Sequence, residues 1–300
     1  MKVIFKLQVL FCIFLFAEID VVTAQGYPSD LVDIFTNQPY RNDNFDYIVI
    51  RRDQNKIKSK YFAENIQSIK SEYDLFAKSK NIVCYAAAGY LAGANYNQLE
   101  NLTIENGVIL NQNISKDRFD ALVIVYASGG VVVSDLRKGD LKLQGGNAPA
   151  FALDVRNNPL HRQAFYDWCK SESATVFQTH LLGFDNQFIM AANADQNAKN
   201  TAKRYRRFLI VGRDNNSLLK HIIINTRSEV GLRMGAEKCF DFAQAVLGMR
   251  ISFMLNLDTG AQNVFNLFNS DGSNFKGFID NESLPLDKAH NLLVYYSDKL

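Results

Sequence analysis

The stretch ALVIVYASGGVVVSDL (residues 121–136) contains two apolar runs on either side of a short turn with Ser128-Gly129-Gly130. Val and Ile branch at Cβ and favour extended strands, and Gly provides the backbone freedom that a tight reversal needs. The stretch therefore predicts a β-hairpin. A hairpin joins antiparallel strands, because parallel strands need a much longer crossover connection.

Strand signals of the same kind recur along the chain. TIENGVIL (103–110) places Asn106-Gly107 between two β-favouring halves, which is the strongest short hairpin signal. Two further strands flank a turn at Asp214-Asn215-Asn216. The predicted strands outside these hairpins are FDYIVI (45–50), a run from Ile82 to about Gly89, ATVFQTHLLGF (174–184), RISFMLNL (250–257) and LLVYY (292–296).

Three stretches carry apolar residues at helical spacing. They are KYFAENIQSIKSEYDLFAKSK (60–80), a segment from Leu160 to Cys169, and GAEKCFDFAQAVLGM (235–249). Helices interrupt a series of hairpins here, without regular alternation with strands. This pattern favours an α+β fold of mixed, largely antiparallel sheets with packed helices over a doubly wound parallel sheet. The polar segment 137–158 predicts a loop, and 192–207 a loop or a short frayed helix.

The N-terminal segment MKVIFKLQVLFCIFLFAEIDVVTA (residues 1–24) has two early lysines, an apolar run and a small-residue end at Thr23-Ala24. This pattern is typical of a secretory signal peptide. A retained anchor is the alternative, although the apolar run is shorter than the roughly 20 residues that span a bilayer. We therefore expect cleavage near Ala24, a secreted or periplasmic location, and no transmembrane span in the mature chain.

Charge and cysteine content exclude some functional classes. The formal net charge is +2, which gives no global field for nucleic acid. Without Cys12, three cysteines remain (Cys84, Cys169 and Cys239), so we expect buried free thiols and at most one disulfide. No Cys or His spacing predicts a metal site, and no phosphate loop, Rossmann fingerprint or Gly-x-Ser-x-Gly elbow appears. The sequence leaves any cofactor undetermined.

The stretch FMLNLDTGAQNV (253–264) brings an acid, Asp258, to the end of a predicted buried strand. A strand-to-loop turn explains it, since Asp and Gly form turns readily. The other interpretation is the edge of an active site, which needs support from elsewhere in the chain.

That support comes from the order of five segments. They are AAAGYL (86–91), LTIENGVIL (102–110), VFQTHLL (176–182), RYRRFLIVGRDNN (204–216) and FDFAQAVLGMRISFMLNLDTGA (240–261). In this order they resemble the phosphodiester glycosidase family over roughly residues 80–300. The resemblance implies a single domain of this type over 25–300.

The resemblance implies hydrolysis of a sugar 1-phosphodiester, with a carbohydrate or phosphosugar ligand. Such a reaction needs a group that holds the anionic phosphate, and Arg is the usual one. Arg206 or Arg207 matches the family's arginine, and a solvated basic patch is the alternative interpretation of RYRR. Asp258 matches the family's acid and would stabilise an oxocarbenium-like centre, act as a base toward water, or hold a sugar hydroxyl.

The resemblance also implies substrate-binding roles for Gln178, Gly89 and Gly260. A glycine at 260 would let the backbone approach the substrate closely. Glu105 belongs to the matching hairpin, and the simpler interpretation of its position is an exposed acid beside a turn.

Some positions depart from the family pattern. Ala87 stands where the family keeps an asparagine, and Thr259 interrupts the usual Asp-Gly turn. Ala offers no substitute for an amide hydrogen bond. Two functions therefore remain open: a secreted hydrolase acting on a glycan or glycolipid-like phosphodiester, and a catalytically inactive relative that binds a glycan or a protein. A third is an interaction protein without a small-molecule site.

Overall fold

The computed structural model describes residues 26–52, 55–64, 68–93, 95–191, 197–260, 263–278 and 283–299. Over these ranges the chain forms 18 strands and four α-helices. The strands pair antiparallel throughout the described sheets, which confirms the predicted α+β class. The predicted signal peptide (1–24) lies outside the described residues.

The largest sheet has seven strands. In spatial order they are β1 (Val32–Tyr40), β2 (Asp43–Arg51), β15 (Leu219–Thr226), β14 (Arg207–Arg213), β16 (Arg250–Leu257), β12 (Leu181–Phe184) and β13 (Gln187–Phe188). Helix α4 (Leu232–Ala245) covers one face with a row of buried residues that includes Leu232, Cys239 and Phe242.

Two smaller sheets pack beside it. The five-stranded sheet has the order β10 (Val131–Asp135), β9 (Ala121–Val125), β11 (Thr175–Thr179), β7 (Thr103–Glu105) and β8 (Val108–Asn111). The four-stranded sheet has the order β17 (Phe265–Leu267), β4 (Lys80–Ala86), β18 (Asn291–Asp298) and β3 (Ile57–Ala63). Helix α2 (Pro159–Ser171) packs on the first of these sheets, and α1 (Lys70–Lys78) packs on the second.

The remaining elements are short. A two-stranded ribbon of β5 (Leu91–Ala92) and β6 (Gln98–Leu99) follows β4, and helix α3 (Ala198–Thr201) precedes β14. Both of these elements contribute residues to the cavity that is described below.

The three larger sheets share one central core. Their inner faces supply residues such as Ile48, Leu255, Val123, Val83 and Leu293 to a single buried cluster. On β9 the neighbouring Leu122 and Ile124 point the other way, into the cluster under α2. Strands buried on both faces have continuous apolar sequences, and this explains the unbroken run ALVIVY.

The predicted hairpins are confirmed. Strand β9 pairs with β10, β7 with β8 and β14 with β15. Asn106 and Gly107 have φ of 48° and 80°, the left-handed pair that a two-residue hairpin turn needs. The three cysteines outside the N-terminal segment are buried and free, as expected. In the described part of the chain, no helix has the length and apolar character needed to cross a membrane.

One predicted element was wrong in part. The segment 60–80 was expected to be helical throughout, but residues up to Ala63 belong to β3, and the helix covers only Lys70–Lys78. Tyr61 and Phe62 are paired with β18 and fully buried, so strand pairing outweighs the helical spacing. The stretch 174–184 is extended, as predicted. It forms two strands in different sheets, and the chain passes between the sheets at His180.

Gly107 provides a test of the hairpin geometry. A Cβ at this position would lie 2.9 Å from Lys170 Cα and 3.0 Å from the Cys169 carbonyl oxygen. We expect Gly107→Ala to lower the free energy of unfolding by about 2 kcal/mol or more, because it adds left-handed strain and a backbone clash. Gly146→Ala is the control, since its Cβ would meet nothing within 4 Å. Urea unfolding measures both, and equal effects would contradict the argument.

Candidate functional site

The three larger sheets meet at the end of β16. The Asp258 amide donates to the Ala87 carbonyl (3.2 Å), just beyond β4 of the four-stranded sheet. The Asn256 amide donates to the His180 carbonyl (3.3 Å), and the Thr179 hydroxyl donates to the Asn256 carbonyl (2.8 Å). His180 is the residue at which the chain leaves the five-stranded sheet. The acid that ends β16 therefore lies at a junction of all three sheets.

A cavity of about 160 Å³ opens at this junction. This volume is below the roughly 300–1,000 Å³ of sites for drug-sized ligands, so it suits a phosphate or a single sugar unit. Much of its lining comes from four places: the β5–β6 ribbon, helix α3, the segment just before β14, and the end of β16 with the residues that follow it. The lining residues are Tyr90, Leu91, Tyr96, Glu100, Arg118, His180, Lys199, Asn200, Arg204, Arg206, Asn256, Asp258, Thr259 and Gly260.

Asp258 is buried, with 4% of its surface exposed. Its Oδ1 accepts a hydrogen bond from the Gly260 amide (2.7 Å). Burial raises the pKa of Asp258 to about 6, although the Gly260 amide and the charges of Arg204 and Arg207 act in the opposite direction. The carboxyl group is therefore mostly ionised at neutral pH and titrates in a range useful for proton transfer.

Three arginines among the described residues line the cavity, and the two that follow α3, Arg204 and Arg206, are held differently. Arg206 is buried; its Nε donates to Val230 (3.1 Å), and its Nη2 donates to Asn200 (3.1 Å) and Ala202 (2.7 Å), all through backbone carbonyls. Burial lowers the pKa of Arg206 to about 10, so it stays charged at neutral pH. Arg204 is half-buried. The structure records no hydrogen bond from its guanidinium to any described residue.

Gly260 lies between Arg204 and the acid. A Cβ at this position would be 3.1 Å from both Arg204 Nη1 and Asp258 Oδ1. The Arg204 guanidinium and the Asp258 carboxyl group are thus close neighbours across a glycine. A side chain at position 260 would crowd both groups.

Three residues predicted from the sequence lie outside the cavity lining. Arg207 points away from it, where its Nε donates to Asn225 Oδ1 (3.0 Å) and its Nη1 to Asn263 Oδ1 (3.1 Å). Gln178 is buried and bound to the segment 115–119, since its Oε1 accepts from the Ser115 amide (3.1 Å) and its Nε2 donates to the Phe119 carbonyl. Both side chains have structural partners.

Gly89 also has a packing role. Its amide donates to Asn291 Oδ1 (2.8 Å), and a Cβ would lie 2.7 Å from the Tyr61 hydroxyl. Glu105 is buried, so its interpretation as an exposed acid was wrong. Its Oε2 accepts from the Ala63 amide (3.1 Å), and burial raises its pKa to about 7.

Sequence reasoning missed several residues of the cavity. Arg118 forms an ion pair with Glu100 (2.8 Å), and the Lys199 ammonium lies 5.3 Å from the Tyr96 ring centroid. His180 is buried; burial, with the charges of Arg118 and Arg206, lowers its pKa to about 3, so the imidazole is neutral at neutral pH. No spacing in the sequence predicts that these residues lie together, because they come from distant segments.

The cavity carries more positive than negative charge. Arg118, Lys199, Arg204 and Arg206 face the two carboxyl groups of Glu100 and Asp258. A partly enclosed site with excess positive charge attracts anions, and guanidinium groups bind phosphate oxygens well. Among the residues that the structure describes, no group of three or more His, Cys, Asp and Glu has an arrangement that could hold a metal ion.

Ala87, one of the departures from the family pattern, does not line the cavity. Its side chain packs in the cluster under α1, beside residues such as Phe62 and Val264. Its carbonyl contributes by receiving the Asp258 amide. Because the side chain at position 87 points into this cluster, the alanine leaves the cavity wall unchanged.

The fold and the cavity define a class: an α+β protein with a buried acid and arginines where three antiparallel sheets meet. No family model matches the chain, and no curated protein matches it either. Solved structures do. The zebrafish N-acetylglucosamine-1-phosphodiester alpha-N-acetylglucosaminidase catalytic domain, auto-inhibited by its pro-peptide, aligns with a TM-score of 0.50 and 12% identity. The alignment covers 92% of this chain and 87% of that one.

A second solved structure, a hypothetical protein from Synechocystis, aligns with a TM-score of 0.46 and 11% identity over 89% of this chain and 62% of that one. At these identities the likeness to the zebrafish domain supports a shared fold. The activity in that protein's name belongs to that protein.

The raised pKa of Asp258 predicts a pH-dependent effect on stability. The pKa of Asp258 is about 6 in the folded protein, and its ordinary value is 3.8. At a pH above both pKa values, the ionised carboxylate therefore lowers the free energy of unfolding by about 2–3 kcal/mol. We expect Asp258→Asn to be more stable than the wild type by about that amount near pH 8. The difference should disappear as the pH falls below about 4, where both states are protonated.

Urea unfolding at the two pH values measures this difference. Asp214→Asn is a matched control of opposite sign, because the Lys220 ammonium and the backbone amides of Leu218 and Asn216 lower the pKa of Asp214. That variant should be less stable than the wild type at high pH. A destabilised Asp258→Asn at pH 8 would show that the carboxylate helps to hold the fold.

Proposed function

We propose that the protein is a hydrolase of the phosphodiester glycosidase type, which removes a sugar from a sugar 1-phosphodiester. One observation carries the proposal: the Asp258 carboxyl group and the guanidinium groups of Arg204 and Arg206 line the same cavity. The likeness in fold to a catalytic domain named for this reaction adds support.

The arginines bind the phosphate. A phosphodiester carries one negative charge, and a guanidinium group with uncommitted donors gives two parallel hydrogen bonds to such oxygens, as Arg204 can. Arg206 donates through Nε and Nη2 to backbone carbonyls, so it contributes chiefly its positive charge. These contacts hold Arg206 rigidly, and Arg204 has donors directed to no described acceptor. Charge that develops on the departing phosphate is stabilised by donors already in place.

Asp258 acts at the anomeric carbon. Water adds its oxygen to this carbon, the bond from carbon to the phosphate oxygen breaks, and the phosphate leaves on the acceptor. The ionised carboxylate either takes the proton from the water or stabilises the positive charge on the sugar. Phosphate is a good leaving group and needs little protonation. Both roles need the charged carboxylate, so activity rises with pH through the pKa of about 6.

The acceptor extends into a neighbouring depression. This second hollow has a volume of about 650 Å³ and shares Glu100 with the cavity. It is bordered by amide side chains, namely those of Gln98, Asn111, Gln112 and Asn113. Amides donate and accept hydrogen bonds, and they suit an uncharged, hydroxyl-rich acceptor such as a glycan or a glycolipid headgroup.

A secreted or periplasmic location completes the proposal. Residues 1–24 act as the signal peptide, and 25–300 form a single exported domain. Mass spectrometry of protein recovered from the secretory compartment tests this, since the mature chain should begin near Gln25. A chain that still begins at Met1 would contradict it.

The activity test uses a panel of sugar 1-phosphate methyl diesters that includes N-acetylglucosamine and glucose. Release of reducing sugar by the wild type, well above that of Asp258→Asn, supports the hydrolase. Equal background release from both proteins rejects it for these substrates. Binding of the same diesters without turnover, measured by calorimetry, would favour the inactive, ligand-binding relative.

A further inference from the structure

The side-chain amide of Asn256 is only half satisfied. Asn256 is buried, with 2% of its surface exposed, and it lines the cavity two residues before Asp258. Its Nδ2 donates to the Tyr90 hydroxyl. Its Oδ1 is buried and has no hydrogen-bond partner among the described residues. Native proteins rarely leave a buried acceptor unpaired, so this oxygen needs an explanation.

The surroundings of Asn256 hold the amide in one orientation. The Tyr90 ring packs against Phe119 (centroids 4.9 Å apart) and His180 (5.3 Å). The Tyr90 hydroxyl is therefore fixed in position and takes the Nδ2 side of the amide. Asn256 Oδ1 remains as an acceptor without a donor among the described residues, on a residue that lines the cavity.

The strand geometry relates this acceptor to the reacting atoms. Residues two apart in a strand share a face and are about 6–7 Å apart, so Asn256 and Asp258 present their side chains to the same cavity. A sugar with its anomeric carbon at Asp258 can turn either C2 or the ring oxygen toward Asn256, and of these only the substituent on C2 has a proton to donate to an acceptor.

We propose that Asn256 Oδ1 accepts a hydrogen bond from a hydroxyl or acetamido N–H at the 2-position of the sugar, and that Tyr90 is a positioning residue for this contact. This rests on the proposed function. The contact satisfies the unpaired oxygen in the complex and makes the site selective against sugars without a donor at that position. Sites with a buried polar group reject ligands that leave it unpaired.

The test is a cycle of two substrates and two proteins. The substrates are methyl glucose-1-phosphate and methyl 2-deoxyglucose-1-phosphate, and the proteins are the wild type and Asn256→Leu. We expect the ratio of kcat/KM for the two substrates to fall by about 10-fold or more in the variant. The intrinsic reactivity of the 2-deoxy sugar cancels in this comparison. An unchanged ratio would overturn the proposal. So would a variant whose discrimination falls only for a 3-deoxyglucose diester and not for the 2-deoxyglucose diester.

Stability supplies a second readout. Leu has nearly the shape of Asn, so replacing a half-satisfied amide should leave the thermal midpoint of unfolding unchanged or higher. A clear fall in the midpoint would mean that Asn256 serves the fold, and would overturn the proposal. Tyr90→Phe keeps the ring and removes only the hydroxyl. It should lower the ratio of kcat/KM for the glucose and 2-deoxyglucose diesters although Asn256 itself is unchanged.

A binding measurement separates this inference from the proposed function. If no phosphodiester is hydrolysed, the proposed reaction fails. Titration of the wild type and Asn256→Leu with methyl glucoside and methyl 2-deoxyglucoside still tests the subsite. A preference for the 2-hydroxyl in the wild type alone supports it, and equal affinities in both proteins overturn it.

Discussion

Asp258→Asn is expected to lower kcat/KM for sugar 1-phosphodiester hydrolysis by at least about 10³-fold, because it removes the charge that both proposed roles require. Asn keeps the shape of the side chain and can still accept the Gly260 amide hydrogen bond. The loss should therefore lie in the chemistry and not in folding. Initial rates of sugar release at saturating and limiting substrate measure it.

Asp214→Asn is the control for this experiment. Asp214 follows the end of β14 remote from the cavity and pairs with Lys220 (2.7 Å). Its replacement should leave kcat/KM unchanged. If Asp258→Asn retains more than about a tenth of the activity, the carboxylate is not central to the reaction, and the assignment of Asp258 fails.

The same substitution at two nearby arginines should act mainly on activity at one position and mainly on stability at the other. Arg204→Met is expected to lower kcat/KM by about 10²–10³-fold, through lost binding of the phosphate, while stability falls by much less than in Arg206→Met. Its guanidinium has no acceptor among the described residues, so it supports the fold only through its charge near Asp258. Steady-state kinetics and urea unfolding of each variant give both quantities.

Arg206→Met is expected to lower the free energy of unfolding by about 3–5 kcal/mol, because the carbonyls of Val230, Asn200 and Ala202 lose a buried donor. Activity should also fall, because less of the protein is folded and because the cavity loses one positive charge. A stable Arg206→Met, or a strongly destabilised Arg204→Met, would reverse the roles that the contacts assign.

Much of the secondary structure could be predicted from local sequence. The hairpins at 103–110 and 121–136 combine β-branched runs with glycine turns, and the turn geometry depends on those few residues alone. Helix α2 begins at Pro159 and is capped by Asn158, whose side chain accepts the amides of Leu160 and His161. Such signals are local, so the sequence shows them directly.

The segment 60–80 shows where local reasoning fails. Its apolar residues have helical spacing, yet Tyr61 and Phe62 are paired with a strand more than 200 residues later. Spacing reports which residues avoid water, and it does not report which distant strand will provide the hydrogen bonds. The short strands β5, β6, β13 and β17 were missed for a similar reason, since they contain only two or three residues each.

In the candidate site, too, local sequence predicted some residues correctly and others only by type. RYRR (204–207) indicated an arginine, but extended chain alternates its side chains, so Arg204 and Arg206 share the cavity and Arg207 faces Asn225 and Asn263. Gln178 matched by type and order, yet its amide is used by the segment 115–119. A residue's type suggests what it can bind, and its neighbours decide what it does bind.

By itself, the sequence determined the antiparallel α+β character of this protein and placed an acid directly after a buried strand, because turns and apolar periodicity act over a few residues. Only the tertiary structure brought His180, Tyr90 and Arg204 to that acid, since each arrives on a different element through pairing between strands far apart in the chain. The identity of the cavity's charged and polar neighbours is therefore a property of sheet topology, which no short stretch of sequence contains.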